Sequence, residues 1–348
     1  MLYNCVNIEI IAYEAPPEII TSDMIEAELA PTYNRLKLPN GRLELMTGIK
    51  QRRLWQRGMM PSDAATLAGA KALTQSNFPK EKIGCLINCS VCRDFLEPAT
   101  ATVVHKNLDL PATAQVFDIS NACLGILSGM NVIAAMIESG QIVAGMLVAG
   151  ENSRSLMEST IAAINADHSL TRQSIKPLFA SLTIGSGAVA VILSHRDCSM
   201  TSHQLNSSSS LAATQYNDLC RGNSDKGMQD NQDMLMETDS EALLEAGIAT
   251  AAAAWDQFTT ENRQSNDAFD CFCTHQVGVA HRRRLYDKLK LDITRDYPTL
   301  ENYGNTGSVS CPMTAACAIE QGIIKPGSTF AMLGIGSGIN ATMMGITW

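Results

Sequence analysis

The stretch DISNACLGI, Asp118 to Ile126, places a cysteine where a strand-like run ends and a helix-like run begins. The run AQVFDIS (114–120) precedes this cysteine, and the small and apolar run CLGILSGMNVIAAMIESG (123–140) follows. The first turn of a helix carries unpaired N–H groups and a partial positive charge, which lower the pKa of a nearby thiol. Cys123 is therefore a candidate nucleophile. The alternative is a buried structural thiol, one of eleven cysteines in the chain.

Strand-like and helix-like runs alternate along the chain, which indicates an α/β protein. The predicted strands are 84–91, 114–120, 143–150, 188–194, 270–276, 329–336 and 341–348, and the predicted helices are 62–76, 123–140 and 239–258. The strands are apolar throughout, as is typical of strands that helices cover on both faces.

The pattern divides the chain into two halves. The N-terminal half (1–198) and the C-terminal half (236–348) both end in a small-residue strand after a Gly-rich turn: GAVAVIL follows TIGSG, and GINATMM follows GIGSG. The segment 199–235 is polar and rich in turn residues, which predicts a linker or surface excursion.

Composition excludes several classes of protein. The net charge of −9 disfavours non-specific nucleic-acid binding, and we interpret the two basic clusters, 50–53 and 281–284, as solvated faces. No apolar run reaches the roughly 18 residues of a membrane helix, and from the first residues we expect no secretory signal. We expect a cytoplasmic protein with reduced cysteines.

Three cysteines, Cys85, Cys89 and Cys92, lie close together in a strand-like run. Zinc sites usually have paired ligands around turns, and this run has no matching second pair. We therefore predict core thiols and no metal site.

Three further stretches carry residues that suit acyl transfer. His275 follows the strand in CFCTHQVG, Asn305 sits in the turn of ENYGNTGSVS, and Ser337 lies in the Gly-rich LGIGSGIN. A thiolate can form a thioester, while side-chain amides and backbone N–H groups can stabilise an oxyanion. Each residue alone also has a structural interpretation, and a single histidine at a strand end most often has a structural role.

Together these motifs resemble the thiolase-fold condensing enzymes of the ketoacyl synthase III type. The resemblance implies two pseudo-repeated α/β halves packed as αβαβα layers. It also implies that Cys123 is the acylated nucleophile and that His275 and Asn305 hold the carbonyl oxygen of the second substrate. The backbone N–H groups of Cys123 and Ser337 would hold the carbonyl oxygen of the first.

The general base is suggested by SVCRDFLEPAT (90–100). Thiolases use a second cysteine in the C-terminal Gly-rich loop, which GIGSGIN lacks. The segment resembles instead the bacterial olefin-pathway enzymes that join two long-chain acyl-CoAs head to head, as do PTYNRL, RRLW and LCRGN. In that family the residue matching Glu97 reaches into the partner subunit and acts as base. The alternative for Glu97 is a surface ion pair with Arg93.

The resemblance implies a non-decarboxylative Claisen condensation that yields a 2-alkyl-3-oxoacyl-CoA. It further implies a homodimer, possible downstream pathway enzymes and no cofactor besides the CoA thioesters, with the CoA contacts unassigned. The main alternative is a malonyl-dependent 3-oxoacyl-[acyl-carrier-protein] synthase III. The matching positions Gly278, Ala280 and Met46 lack that subfamily's characteristic polar residues. A hydroxymethylglutaryl-CoA-synthase-like enzyme and an inactive scaffold subunit are further alternatives.

Overall fold

The computed structural model describes residues 1–222 and 236–348. Its strands are β1 (Val6–Glu14), β2 (Glu18–Thr21), β3 (Gln51–Leu54), β4 (Ile83–Asn88), β5 (Gln115–Asp118), β6 (Ala144–Glu151), β7 (Gly187–His195), β8 (Gln204–Ala212), β9 (Cys220–Gly222), β10 (Met236–Thr238), β11 (Cys271–Thr274), β12 (Thr329–Gly336) and β13 (Asn340–Thr347). Its α-helices are α1 (Ser22–Glu28), α2 (Ala30–Leu36), α3 (Arg42–Thr47), α4 (Pro61–Ser76), α5 (Thr100–Asn107), α6 (Gly125–Glu138), α7 (Arg154–Ala166), α8 (Ser240–Asn262), α9 (Val279–Leu289), α10 (Leu300–Tyr303) and α11 (Ser310–Glu320).

Nine strands form one sheet in the order β11-β12-β13-β8-β1-β7-β6-β4-β5. Outward from its middle, the two sides have the same pattern. The pairs β1/β7 and β7/β6 are antiparallel and β6/β4 is parallel; β8/β13 and β13/β12 are antiparallel and β12/β11 is parallel. The two sides meet at Asn7 and Gln204 of β1 and β8. The prediction of two pseudo-repeated α/β halves is confirmed, and β7 and β13 are equivalent strands.

The helices form layers around these halves. Helices α6 and α11 lie in one apolar core with inward-facing residues of both halves. Helix α4 packs on the outer face of the N-terminal half, and α8 and α9 pack on the outer face of the C-terminal half. The predicted αβαβα layering follows from these three cores, because each sheet half buries both of its faces.

The linker predicted for 199–235 is wrong for residues 204–212, which form the central strand β8. The serine run in QLNSSSSLA resembles a loop in composition, but Ser207, Ser208 and Ser209 are buried. Ser209 Oγ donates to Glu261 Oε2 at 2.6 Å. Small polar side chains fit here because neighbouring strands and helices enclose them. Residues 223–235 of the predicted linker lie outside the described residues.

Both basic clusters are more buried than composition indicates. Arg52 has no exposed surface, and its Nη1 donates to Ser22 Oγ at 3.1 Å. His281 is buried on α9, and Arg282 pairs with Asp296. The interpretation of these clusters as solvated faces is wrong for Arg52 and His281, since both side chains are buried. Gly185 and Gly304, which are distant in sequence, lie close to Arg52.

Cys85 and Cys89 lie in the apolar core. Within residues 1–222 and 236–348, no cluster of three His, Cys, Asp or Glu side chains is arranged to hold a metal ion. In the same ranges, the helices are all too short or too polar to cross a bilayer.

Candidate active site

The nucleophile stretch forms a tight turn between β5 and α6. Residues Ala122–Leu124 make a 3₁₀ turn, and α6 begins at Gly125. Ala122 has φ of 44°, a strained backbone conformation that is common at functional sites. A Cβ on Gly125 would lie 2.0 Å from the carbonyl oxygen of Cys89. Glycine therefore lets the start of α6 approach β4, and the predicted strand-to-helix position of Cys123 is confirmed.

The pKa of Cys123 differs from the prediction. Loss of solvent around the thiol is the larger cause and the negative charge of Glu151 is the next, and together they raise the pKa of Cys123 to about 12. The predicted lowering is wrong because both effects disfavour the thiolate. Cys123 is consequently a protonated thiol at neutral pH.

His275 lies directly after β11, where its backbone N–H donates to Leu333 O at 2.9 Å. Burial and the nearby His281 lower the pKa of His275 to about 3. The imidazole is therefore neutral, with one ring N–H donor. Its Nδ1 is buried without a hydrogen-bond partner among the described residues. A neutral ring is suited to donate a hydrogen bond and is a poor base.

Asn305 is oriented by its own turn. Its Oδ1 accepts the N–H of Gly307 at 3.0 Å, so the acceptor end of the amide is occupied and Nδ2 is left as the donor. Its backbone N–H donates to Thr183 O, and its carbonyl accepts from Gly185 N–H. A Cβ on Gly185 would lie 1.9 Å from Tyr303 O. Only glycine allows the TIGSG turn to hold Asn305 this closely.

Gln276, which sequence analysis did not identify, connects the two residues predicted to hold an oxyanion, His275 and Asn305. Its Oε1 accepts the N–H groups of Thr299 and Leu300, both at 2.9 Å, and its Nε2 donates to Tyr297 O. Helix α10 begins at Leu300 and leads directly to Asn305. The buried amide therefore fixes the end of β11, and with it His275, relative to the Asn305 turn.

The C-terminal Gly-rich loop lies against the nucleophile turn. A Cβ on Gly336 would lie 3.6 Å from Cys123 N. The Nδ2 of Asn340 lies 3.3 Å from Ser337 O and 3.4 Å from Asn121 Oδ1. Because Ser337 follows Gly336 directly, the structure brings the predicted pair Cys123 and Ser337 together.

Glu97 lies elsewhere, on an exposed loop formed by residues 91–98, which we call the Glu97 loop. The side chains of Val91, Phe95 and Leu96 on this loop are 50%, 53% and 54% exposed. No ion pair joins Glu97 to Arg93, so that alternative is wrong. Within the described part of one chain, Glu97 contacts none of the other predicted site residues through a hydrogen bond.

Glu151 is a second residue that sequence analysis missed. It ends β6 and is 4% exposed. Its carboxylate accepts hydrogen bonds from the start of the Glu97 loop and from the turn after Asn305. A single glutamate in VAGENSR has no distinguishing local signal, because its role depends on segments that are distant in sequence.

Two family models match the chain in the regions that hold this site. The 3-oxoacyl-[acyl-carrier-protein (ACP)] synthase III model matches residues 117–209. The model of that enzyme's C-terminal part matches residues 260–348. Cys123 lies in the first match, and His275, Asn305 and Ser337 lie in the second.

Curated relatives match over the whole length. An acyl-CoA:acyl-CoA alkyltransferase of Shewanella oneidensis is 39% identical, with 100% of both sequences covered. The chain belongs to this family. The Xanthomonas campestris acyl-CoA:acyl-CoA alkyltransferase is 34% identical, again with 100% of both covered. A β-ketoacyl-[acyl-carrier-protein] synthase III of Aliarcobacter butzleri is 28% identical over 84% of this chain and 85% of its own length.

Solved structures agree with this family membership. A crystal structure of Xanthomonas campestris OleA superposes with a TM-score of 0.94 at 34% identity, covering 100% of this chain and 98% of that one. A further OleA structure, with bound lauric acid and lauroyl-CoA, has a TM-score of 0.93 at the same identity and covers 100% of both chains. The protein is therefore a thiolase-like acyltransferase with the thiolase fold.

Proposed function

We propose that this protein condenses two long-chain acyl-CoAs head to head to give a 2-alkyl-3-oxoacyl-CoA. The observation that carries the proposal is the donor arrangement around Cys123. The neutral imidazole of His275 and the free amide end of Asn305 supply donors for one carbonyl oxygen, and the Ser337 loop lies against the backbone of Cys123. Full-length similarity to acyl-CoA:acyl-CoA alkyltransferases supports acyl-CoA as the substrate class.

In the first step, the sulfur of Cys123 attacks the carbonyl carbon of the first acyl-CoA. The N–H groups of Cys123 and Ser337 hold the oxyanion of the tetrahedral intermediate. The carbon–sulfur bond to CoA breaks, and the thiol proton of Cys123 leaves with the CoA sulfur. The products are an acyl-Cys123 thioester and free CoA.

In the second step, Glu97 removes the α-proton of the second acyl-CoA. His275 and Asn305 hold the carbonyl oxygen, which gains negative charge as the carbanion forms. The carbanion attacks the acyl-Cys123 thioester, and the Cys123 sulfur leaves as a thiolate. The proton held by Glu97 then returns Cys123 to the thiol and Glu97 to the carboxylate as the product is released. This route requires no metal or redox cofactor, because a carboxylate and oxyanion donors perform each proton and charge transfer.

We further propose a homodimer in which Glu97 enters the active site of the partner. The exposed apolar side chains of Val91, Phe95 and Leu96 support this assembly, since such a surface favours contact with another protein. The eleven cysteines are all free thiols, which supports a reducing compartment such as the cytoplasm. Partner enzymes that reduce or cleave the 3-oxo product would then determine its fate.

A basic surface pocket of about 230 Å³ is the proposed contact for the CoA phosphates. Its lining includes Arg42, Arg172 and Lys176. Arg42 begins α3, and Gly48 at the end of α3 packs against Val279, four residues after His275. The short helix α3 therefore connects the pocket to the segment that follows His275.

Incubation of the purified protein with myristoyl-CoA alone, followed by mass spectrometry, tests the function. We expect the 2-alkyl-3-oxoacyl product, or the long ketone that its hydrolysis and decarboxylation yield. The variant Cys123→Ala should give neither product nor covalent adduct. Acylated Cys123 without any carbon–carbon product would contradict the proposal, and product formation only after addition of malonyl-carrier protein would indicate the decarboxylating reaction instead.

A further inference from the structure

Glu151 has more hydrogen-bond donors around its carboxylate than its place at a strand end requires. Oε1 accepts the N–H of Val91 at 2.9 Å and both the N–H and the hydroxyl of Ser308. Oε2 accepts the N–H of Cys92 at 3.1 Å. Every contact is a donor, which is the pattern of an acceptor-only ionised carboxylate.

These donors belong to two segments that carry predicted catalytic residues. Val91 and Cys92 begin the Glu97 loop, and Ser308 lies three residues after Asn305. The other end of the loop is held separately, because Asp118 accepts the N–H groups of Thr100 and Ala101 at 2.9 and 2.8 Å. The carboxylate of Glu151 thus accepts hydrogen bonds from both the Glu97 loop and the segment that follows Asn305.

The anchor has a chemical cost. Among the described residues no Lys, Arg or His forms an ion pair with Glu151, and an uncompensated buried charge is unfavourable. Its charge also acts against the thiolate of Cys123. A neutral glutamine would remove that penalty, but its amide nitrogen cannot accept a hydrogen bond. An amide nitrogen at the Oε2 position would leave the N–H of Cys92 without an acceptor. At the Oε1 position it would leave the N–H of Val91 and the donors of Ser308 without one.

We propose that Glu151 is a positioning residue for condensation, whose buried carboxylate fixes the start of the Glu97 loop relative to the Asn305 turn. This inference rests on the proposed function, since it concerns the base and the oxyanion donors of that reaction. In a dimer whose Glu97 loops cross between subunits, Glu151 connects the Asn305 turn of one site to the base of the other.

The test compares Glu151→Gln with wild type in three measurements. Hydrogen exchange should increase in residues 91–98, and also in residues 305–308 if the amide nitrogen takes the Oε1 position. Condensation from preloaded acyl-Cys123 should slow by roughly 100-fold, as misplacement of catalytic groups by about 1 Å does. The pH profile of Cys123 alkylation by iodoacetamide should move to lower pH, with roughly tenfold faster labelling below the pKa for each pKa unit. The other titratable group acting on this thiol, Cys220, is unchanged.

Glu9→Gln is the matched control. Glu9 is also buried, and it accepts hydrogen bonds from Ser199 Oγ at 2.6 Å and Met200 N–H at 3.1 Å. The variant Glu9→Gln should leave all three measurements near their wild-type values. Ser308→Ala is a milder variant that removes only the hydroxyl on the Asn305 side. It should increase exchange at 305–308, and its effect on condensation should be non-additive with that of Glu151→Gln.

Unchanged exchange and wild-type condensation in Glu151→Gln would overturn the inference. Slower condensation without the alkylation shift, or an equal effect from Glu9→Gln, would indicate general loss of stability and would also overturn it. If Glu151→Gln does not fold, wild-type exchange at 305–308 together with wild-type condensation in Ser308→Ala would overturn the inference instead. Failure of the proposed function is distinct, because wild type itself would then make no condensation product while exchange and alkylation could still be measured.

Discussion

Asn305 illustrates how a single side chain is assigned its chemical role by its neighbours. The amide has both a donor and an acceptor, and the hydrogen bond from Gly307 N–H to Oδ1 leaves only the donor for a substrate. The surroundings of His275 act similarly, because burial lowers its pKa and so keeps the ring neutral. At Cys123, burial works against the nucleophile, so acylation has to begin from a thiol.

The variant Asn305→Asp tests the donor role. An aspartate oxygen can still accept the N–H of Gly307, so the turn is retained, but the second oxygen cannot donate and repels a developing oxyanion. We expect condensation to slow by roughly 100- to 1,000-fold, with covalent acylation of Cys123 little changed, as measured by single-turnover kinetics. Asn302→Asp on the exposed face of α10 is the control. Wild-type condensation in Asn305→Asp would exclude Asn305 from the oxyanion site.

Short connections between elements place these residues. The Gln276 amide joins the end of β11 to the start of α10, and the Asp118 carboxylate joins the end of β5 to the start of α5. In both cases a side chain at a strand end accepts the otherwise unpaired N–H groups of a helix. Such hydrogen bonds fix the distance between two segments, which the local sequence of either segment does not determine.

We expect Gln276→Ala to lower the kcat of condensation without preventing acylation of Cys123. It leaves the buried N–H groups of Thr299 and Leu300 without an acceptor, at about 1–3 kcal/mol for each group, and it releases the Asn305 turn from β11. The condensation kcat should fall while acylation of Cys123 continues, in a variant whose melting temperature is also lower. The exposed Gln321→Ala should change neither quantity, and an unchanged kcat in Gln276→Ala would contradict the positioning role.

The basic pocket at the start of α3 leads to a prediction about binding. Replacing Arg42 and Lys176 by glutamine removes two positive charges, so the KM for myristoyl-CoA should rise by roughly tenfold, or about 1.4 kcal/mol, with little change in kcat. The KM for myristoyl-N-acetylcysteamine, which lacks the phosphates, should not change. An equal rise for both substrates would place the CoA phosphates elsewhere.

At the scale of the whole molecule, one chain holds the predicted nucleophile and oxyanion donors together but keeps Glu97 on its surface. The layered core explains this separation, since α6 and α11 bring Cys123 and the Asn305 turn to the same side of the sheet. The Glu97 loop leaves that core with three exposed apolar side chains. This separation is consistent with our proposal that a second subunit supplies the base.

Mixed dimers test this directly. Cys123→Ala and Glu97→Gln should each be inactive in condensation or slowed by roughly 100- to 10,000-fold. Coexpressed with different affinity tags and purified as heterodimers, they should recover one working site per dimer, formed by Cys123 of one subunit and Glu97 of the other. If the heterodimers are as inactive as the parents, Glu97 acts within its own chain or is not the base.

Two buried histidines predict how stability depends on pH. Burial lowers the pKa of His281 to about 4, and that of His275 to about 3, below the usual value near 6.5. The two neutral histidines contribute fully to the free energy of unfolding above about pH 6.5. This contribution is lost as the pH falls towards 4, because in that range only the unfolded chain takes up the protons. Melting temperatures between pH 7 and 4.5 should fall less in His281→Gln than in wild type. The exposed His168→Gln is the control, and an equal slope in all three proteins would exclude this linkage.

The sequence by itself determined the α/β class, most strand positions, the pseudo-repeat and the Cys123, His275 and Asn305 motifs, because apolar runs and Gly-rich turns are local signals. Only the tertiary structure showed that the serine-rich 204–212 is a central strand and that Arg52 is buried. It alone revealed the raised pKa of Cys123 and the hydrogen bonds that the carboxylate of Glu151 accepts from two distant segments. Each of these depends on the neighbours that folding brings together from distant parts of the chain, and burial and charge proximity are properties of those neighbours.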